Sequence, residues 1–469
     1  MFHTMDGQCR RTSRIQRASK YGVFAGAPIW PVLLSQFLHF VSIGLSGPYY
    51  AEVLLCSPYS TGKVSHVDGG PIEPTEAEVM SRTQLLLSVA NMGNAVFELV
   101  SSAVLGVICD RYGRWPVAVM TQVGQLVDFS VVGLCTKAIL TQGFQIETIG
   151  ASVVAARCVA GVCGNFRVPA MSCMADLSTP ETASRNFGLL GAVVGVALIV
   201  GPLVAMLLLR LEHLRLVFLA SATLNIVNIL IISSCWPPAI QRPATSWREA
   251  DPVYLVRSTV GRTPTLKIYG VMNFLDAFAS SMFFGTMALF TKYRFGWTKS
   301  NIAPFFLCFG LLVPLQLGVV LPLLLKRFGE PVVLKFGYGL SCLAFFLFFL
   351  TGLTDRPELF MAVLFPFTLG FISNPTQTVM ANREVEEWEL GRLSGAYSIL
   401  ETSGKTIAPL TAALLLSNTL ESALPSFVYL AAAIVLFPGV VLSFRIASVL
   451  QREKEADDVE LTETNTGVT

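Results

Sequence analysis

The chain has 469 residues, 53% of them apolar and 14% charged, and a mean hydropathy of +0.61. A soluble domain carries about 25% charged residues, so too few charges remain here to cover a surface facing water. Lys and Arg number 33 against 31 Asp and Glu, and no Lys/Arg block forms the basic face that nucleic acid requires, so no nucleic-acid partner is expected. The ten cysteines are scattered without C-x-x-C spacing, which argues against a disulfide framework, and no metal or cofactor is expected. A membrane-crossing helix takes roughly 20 apolar residues, and the composition reads as an all-α membrane protein of many spans.

Residues 1–28, with Arg10, Arg11, Arg14, Arg17 and Lys20, read as a cytoplasmic N-terminal segment. The apolar run from Ile29 is too long for a signal peptide and lacks a small-residue cleavage site, so it is the first span. Apolar stretches follow in order at 29–52, 83–108, 116–136, 148–174, 187–209, 214–235, 268–290, 302–325, 332–352, 359–380, 393–416 and 425–446. These twelve divide into a bundle over 29–235, a basic, Pro-rich cytoplasmic linker over 236–267, a bundle over 268–446 and an acidic tail over 447–469. The tail has too little apolar content to pack and is expected to be disordered. Loops on the side of the termini carry Arg111, Arg114, Arg185, Lys326, Arg327, Arg383 and Arg392. The positive-inside rule makes that side cytoplasmic. The stretch Lys292, Arg294 and Lys299 on the opposite side is the exception, and the loop 53–82 there is acidic.

The halves repeat. Asp110-Arg111-Tyr112-Gly113 recurs as Lys326-Arg327-Phe328-Gly329, and Arg185, Gly188, Pro202 and Ala205 recur 207 residues later as Arg392, Gly395, Pro409 and Ala412. Parallel six-span halves of this kind build one class of secondary transporter, with the binding site at their interface near mid-membrane.

Gly106-x-x-x-Asp110-Arg111-x-Gly113-Arg114, between spans 2 and 3, resembles the signature loop of the major facilitator superfamily. Glycines there permit close helix approach and a tight turn, and Asp and Arg sit where helix ends meet. The resemblance implies two pseudo-symmetric six-helix bundles and a gating role for these residues with Arg392. Arg157-x-x-x-Gly161-x-x-Gly164 resembles the second motif of the family. Met174-Ala175-Asp176, followed by Arg185 to Gly188, is similar to tetracycline-type and drug/proton antiporters, as are Gly191, Gly195, Gly201 and Pro202 in span 5. Ala205-Met206 stands where that branch has Gly-Gly. Gly161, Gly164, Gly195, Gly201 and Pro202 also read as a plain helix-packing set, with Gly191 and Gly195 at the i, i+4 spacing that serves packing in lipid. Ser46-Gly47-Pro48, the long acidic first loop, Gly113-Arg114-x-Pro116 and Leu400-Glu401-Thr402 are similar to the folate- and haem-associated solute carriers.

Charges at mid-membrane face a partner or a wet cavity, so each is a functional candidate. At 1.5 Å per residue Glu98 and Asp276 lie roughly 12 Å inside their spans. Glu401 lies as deep, with Lys405 one turn on in the favourable Glu-to-Lys order; the pair contacts substrate or neutralises itself. Arg157, Gly161 and Asn165 share a face of span 4, with Arg167 offset, and Arg157 is the first candidate for an anion or coupling contact. Asp128 is expected nearer the outer end of span 3. His39, one turn after Gln36, titrates near neutral pH or is a satisfied core residue. Asn273 and Gln316 are hydrogen-bonding candidates whose other reading is interhelical glue.

The expected protein is a secondary transporter of a small organic solute, coupled to protons and working by alternating access. It is not an enzyme, since no hydrolase, metalloprotease or P-loop pattern occurs. The alternatives are a folate-carrier-like importer and a transporter-derived receptor or scaffold. Its expected partners are the solute, protons and the lipid bilayer of the plasma membrane or an internal membrane, and it is expected to be a monomer.

Overall fold

The structure, a computed structural model, describes residues 28–55, 75–141, 149–178, 182–210, 213–236, 251–385 and 390–466. The segment 1–27, Asp68 and Glu73 of the acidic loop, and linker residues 237–250 lie outside the described residues. All regular structure among the described residues is helical. Ten helices are long and apolar enough to cross a membrane. The other two predicted spans are also helical. Span 1 has only 17 residues of unbroken helix, and span 11 is diluted by Ser, Thr, Glu401 and Lys405.

Packing follows the internal repeat. Within the first half spans pair as 1–5, 1–6, 2–4, 3–4 and 3–6; within the second the same pairs recur as 7–11, 7–12, 8–10, 9–10 and 9–12. Between halves, span 2 lies along span 11 and span 5 along span 8. Small residues set these approaches. Gly310 of span 8 rests on the Leu198 carbonyl of span 5, and a Cβ on Gly195 would stand 3.0 Å from Pro314 Cγ. The second half has an aromatic core in which the Phe283 ring lies 4.6 Å from that of Phe348 and 4.7 Å from that of Phe367.

Several predicted boundaries move, each for a local reason. Span 1 is helix Trp30–Ser46, a tight turn Gly47–Tyr49 and a short helix Tyr50–Leu54, because Pro48 supplies no N–H. Span 2 starts at Glu76, where Thr75 and Glu78 form a capping box. Span 4 is helix Ile149–Cys163 and helix Arg167–Leu177, broken at Gly164, whose φ of 79° suits glycine alone. Span 10 is interrupted between helices Leu364–Gly370 and Ser373–Arg383, at the equivalent point of the second half.

Span 7 runs Pro264–Phe295, capped by Thr263 and closed by left-handed Gly296. Lys292 and Arg294 therefore belong to a helix end, not a loop. The predicted linker holds a helix, Pro252–Thr259. The tail expected to be disordered continues span 12 as helix Phe427–Thr466, since Gln451, Arg452, Glu453, Lys454, Glu455 and Ala456 are all strong helix formers.

Gly161 offers a test of the span 2 to span 4 contact. A Cβ there would collide with the Asn94 carbonyl. The same approach carries bonds from Asn94 Nδ2 to the Arg157 carbonyl (3.0 Å) and from Ser101 Oγ to the Gly161 carbonyl (2.8 Å). Gly161→Ala is expected to destabilise by about 1–3 kcal/mol through overpacking, read as a lower midpoint of thermal unfolding, whereas Gly106→Ala, with open space around it, is expected to leave the midpoint unchanged.

Candidate functional site

The charged residues of the spans join in one polar network. In the first half, Asp128 is fully buried and receives Tyr50 Oη at 2.8 Å and Arg157 Nη1 at 3.1 Å, all on one carboxylate oxygen, Oδ2. Arg157 Nη2 donates to Asn91 Oδ1 at 2.9 Å, and its guanidinium lies 4.9 Å from the Tyr50 ring centre. Asp128 is thus the partner of Arg157. A buried Arg–carboxylate pair needs such extra hydrogen bonds to offset its desolvation.

The break in span 4 shapes the next link. Gly164 is wedged against Leu105 and Ser101 of span 2, and the turn beyond it carries Asn165, whose Nδ2 donates to Glu98 Oε1 at 2.9 Å. Asn165 Oδ1 accepts the Arg167 amide at 2.9 Å, so it starts the next helix and holds the carboxylate together. Glu98 is half-buried.

Arg167 connects the halves. Its Nη1 lies 3.5 Å from Glu401 Oε2 on span 11, while Lys405 Nζ lies 2.5 Å from Glu401 Oε1. The Arg167 side chain is 54% exposed, so this ion pair faces accessible space. Asp276 on span 7 completes the network, within electrostatic reach of Glu401 and Lys405 and near the side chain of Asn374. Asn374 and Asn165 both follow the breaks of their spans, at positions 209 residues apart (374 − 165). Each half thus places an amide side chain near one carboxylate, and the amide donor that Glu98 accepts leaves its negative charge intact.

The other candidates lie apart from this network. His39 is buried, with Nδ1 3.1 Å from Gln122 Nε2 and its ring 4.9 Å from Phe166, a core arrangement of the first bundle. Asn273 Nδ2 bonds the Tyr397 carbonyl at 2.9 Å and Gln316 Nε2 the Phe365 carbonyl at 3.3 Å; both act between helices. In span 5, Gly201 lies against Gly44 of span 1, with Pro202 buried beside it. Gly106 has no close neighbour, so the close approach expected of it is absent. Arg111 lies in the last turn of span 2 and Arg392 near the start of span 11, both half-buried; the Asp110 side chain lies outside the described residues.

Sequence reasoning missed Tyr50, Asn91, Asp176 and Asn374 as partners. Asn91, Asn94 and Glu98 are spaced i, i+3, i+7 on one face of span 2, a signal that was there to be read. The gating loop keeps its turn through Gly113 at φ 94°, and Arg114 Nε lies 3.0 Å from Asp176 Oδ2, with side chains 7% and 4% exposed. The second half repeats the turn at Gly329, φ 74°, but there Glu330 follows and Arg383 answers it, both nitrogens on both oxygens at 2.7 and 2.8 Å. The two pairs occupy equivalent places with their signs exchanged. At the opposite ends of the spans, Lys292 Nζ meets Glu52 Oε1 at 3.0 Å, and Gln84 Nε2 the Gly285 carbonyl at 2.9 Å; both contacts cross between halves. Arg294 binds Asp355 at 2.8 Å.

The chain matches the model of the Major Facilitator Superfamily over residues 27–409. It is similar to the class C tetracycline resistance protein of Escherichia coli, with 26% identity over 321 residues, 67% of this chain and 76% of that protein. It is likewise similar to the class D protein of Salmonella ordonez, at 24% over 351 residues, 74% and 83%. Its fold resembles the human organic anion transporter MFSD10 at a TM-score of 0.64 and 17% identity, covering 88% of this chain and 98% of that one. It also resembles a D-xylose–proton symporter at 0.66 and 13%, covering 89% and 95%.

The sign-exchanged pairs differ in burial, which separates their energetics. Asp176→Asn removes the carboxylate that meets the buried Arg114 guanidinium and is expected to cost about 3–5 kcal/mol. Glu330→Gln touches an Arg383 that is 66% exposed and is expected to cost about 1 kcal/mol or less. Thermal unfolding of the two variants checks the contrast, and the exchange Arg114→Asp with Asp176→Arg is expected to recover part of the larger loss.

Proposed function

The chain belongs to the major facilitator superfamily, and from that premise we propose that it exports a small organic solute in exchange for protons, with Glu98 and Asp276 as the proton-carrying groups. Membership makes it a multi-pass secondary transporter, not an enzyme. The observation that carries the proposal is the polar network joining the halves, in which four carboxylates (Glu98, Asp128, Asp276 and Glu401) meet three cations (Arg157, Arg167 and Lys405). All three cations are engaged by Asp128 and Glu401. Glu98 and Asp276 form no ion pair within 4 Å among the described residues, so each can take up a proton or a positively charged solute group, and competition between the two is what exchange requires.

The orientation proposed is that of the positive-inside rule, with both termini cytoplasmic. Lys292 and Arg294 do not oppose it, since both are consumed by ion pairs with Glu52 and Asp355. In that orientation the cross-half contacts Glu52–Lys292 and Gln84–Gly285 close the outer side. At the cytoplasmic ends, Arg114–Asp176 and Glu330–Arg383 each stay within one half and leave the halves free to part. The contact between Arg167 and Glu401 across the interface is then the link that rocking must remake. Likeness to tetracycline resistance proteins over about two thirds of the chain supports export and makes tetracycline the first solute to try.

Proteoliposomes loaded with a pH-sensitive dye and given an outward or inward pH gradient test this. Tetracycline uptake driven by the gradient, with matching proton movement, is expected for the unaltered protein. Glu98→Gln and Asp276→Asn are each expected to reduce uptake to its gradient-free level, whereas His39→Gln is expected to retain most of it. Uptake that ignores the gradient, or that survives both carboxylate changes, would sink the coupling assignment.

A further inference from the structure

The linker helix Pro252–Thr259 is docked, not free. Leu255 packs against Gly395 of span 11, Val260 against Gly270 of span 7, and the Gly261 amide bonds back to the Val256 carbonyl at 3.1 Å. Between this helix and spans 7 and 11 lies a groove of about 300 Å³. Its two charged residues, Arg257 and Lys267, are both exposed, and neither is paired with a carboxylate among the described residues. Val260, Val271, Phe274 and Leu400 make up much of the rest.

The groove has a direction. Lys267 is in the first turns of span 7, at the membrane surface, and Phe274 is seven residues further on, about 10 Å deeper at 1.5 Å per residue. Cations thus stand at the mouth and apolar side chains below. Val271 is 49% exposed, and at about 100° per residue it points roughly 140° away from Asp276. The groove therefore opens on the opposite side of span 7 from the polar network, and the solute path does not explain it. Val253, 74% exposed on the linker helix, is a further apolar group at the surface.

We propose that this groove binds an anionic phospholipid, its headgroup phosphate held by Arg257 and Lys267 and an acyl chain lying along span 7 beneath the linker helix. A soluble phosphate would meet the same two cations but leave the apolar wall unused. A zwitterionic lipid would fill the wall but bring no net charge to the cations. The site rests on the linker geometry and is independent of which solute is moved.

Native mass spectrometry of the full-length protein in detergent, titrated with phosphatidylserine or phosphatidylcholine, tests the site. Phosphatidylserine is expected to bind more tightly. Each basic residue near the surface supports about fivefold in affinity, so Arg257→Gln or Lys267→Gln is expected to weaken binding about fivefold and the pair about thirtyfold. Lys335→Gln, which removes a cation from the first turns of span 9, is expected to change nothing. Inorganic phosphate is expected not to compete. The proposal fails if the double variant binds phosphatidylserine as before, if Lys335→Gln weakens it equally, which would mark unspecific surface attraction, or if inorganic phosphate displaces it, which would mark a site for a soluble anion.

Discussion

A charge placed in hydrocarbon must find a partner inside the protein, because no water is available to solvate it. The Arg157–Asp128 pair is where this constraint acts most strongly. Asp128 has no exposed surface, so span 4 must bring Arg157 to span 3, and the short helix Tyr50–Leu54 at the end of span 1 must bring Tyr50. The Asn94 bond to the Arg157 carbonyl then draws span 2 against span 4, and Gly161 lets it come that close. Four spans of the first half are thus located by the demands of two side chains. Glu98 is held beside them through Asn165, and Arg167, two residues on, reaches across to Glu401.

The second half meets the same constraint by other means. Its core is a cluster of mutually tilted aromatic rings around Phe283, with a buried hydrogen bond from the Tyr338 hydroxyl to Gln377. Its mid-membrane charges, Asp276, Glu401 and Lys405, lie toward the interface. One bundle is organised around a buried ion pair and the other around rings, although their helices pair in the same pattern. Close backbone approach at glycines is common to both halves: Gly161 meets Asn94 in the first and Gly337 meets Ser373 in the second.

Much of this was legible beforehand, and the rest was not for definable reasons. Each of the twelve apolar runs coincides with helix, ten of them long and apolar enough to cross a membrane, and the repeated turn motif located the equivalence of Gly113 and Gly329. The Glu401–Lys405 pair was readable because both residues sit on one helix. Arg157 with Asp128 was not, since depth along a span says nothing about which way a side chain faces. Lys292 and Arg294 read as loop residues because hydropathy ends a span where charges begin, whereas the helix continues until Gly296 closes it. The role of Asn165 depended on the turn at Gly164, which no periodicity contains. The tail failed in the opposite sense: a segment too polar to pack can still be helical.

A polypeptide containing two near-copies of one bundle runs a hazard while it folds, because a helix of one copy can dock into the partner's place in the other. The exchanged signs at the turns after spans 2 and 8 act against that error. Were span 10 to take the place of span 4, Arg383 would approach Arg114; were span 4 to take the place of span 10, Asp176 would approach Glu330. Both wrong assemblies bring like charges together, and only the correct one satisfies all four residues. The same four side chains that fasten the turns therefore also carry a charge pattern that differs between the halves.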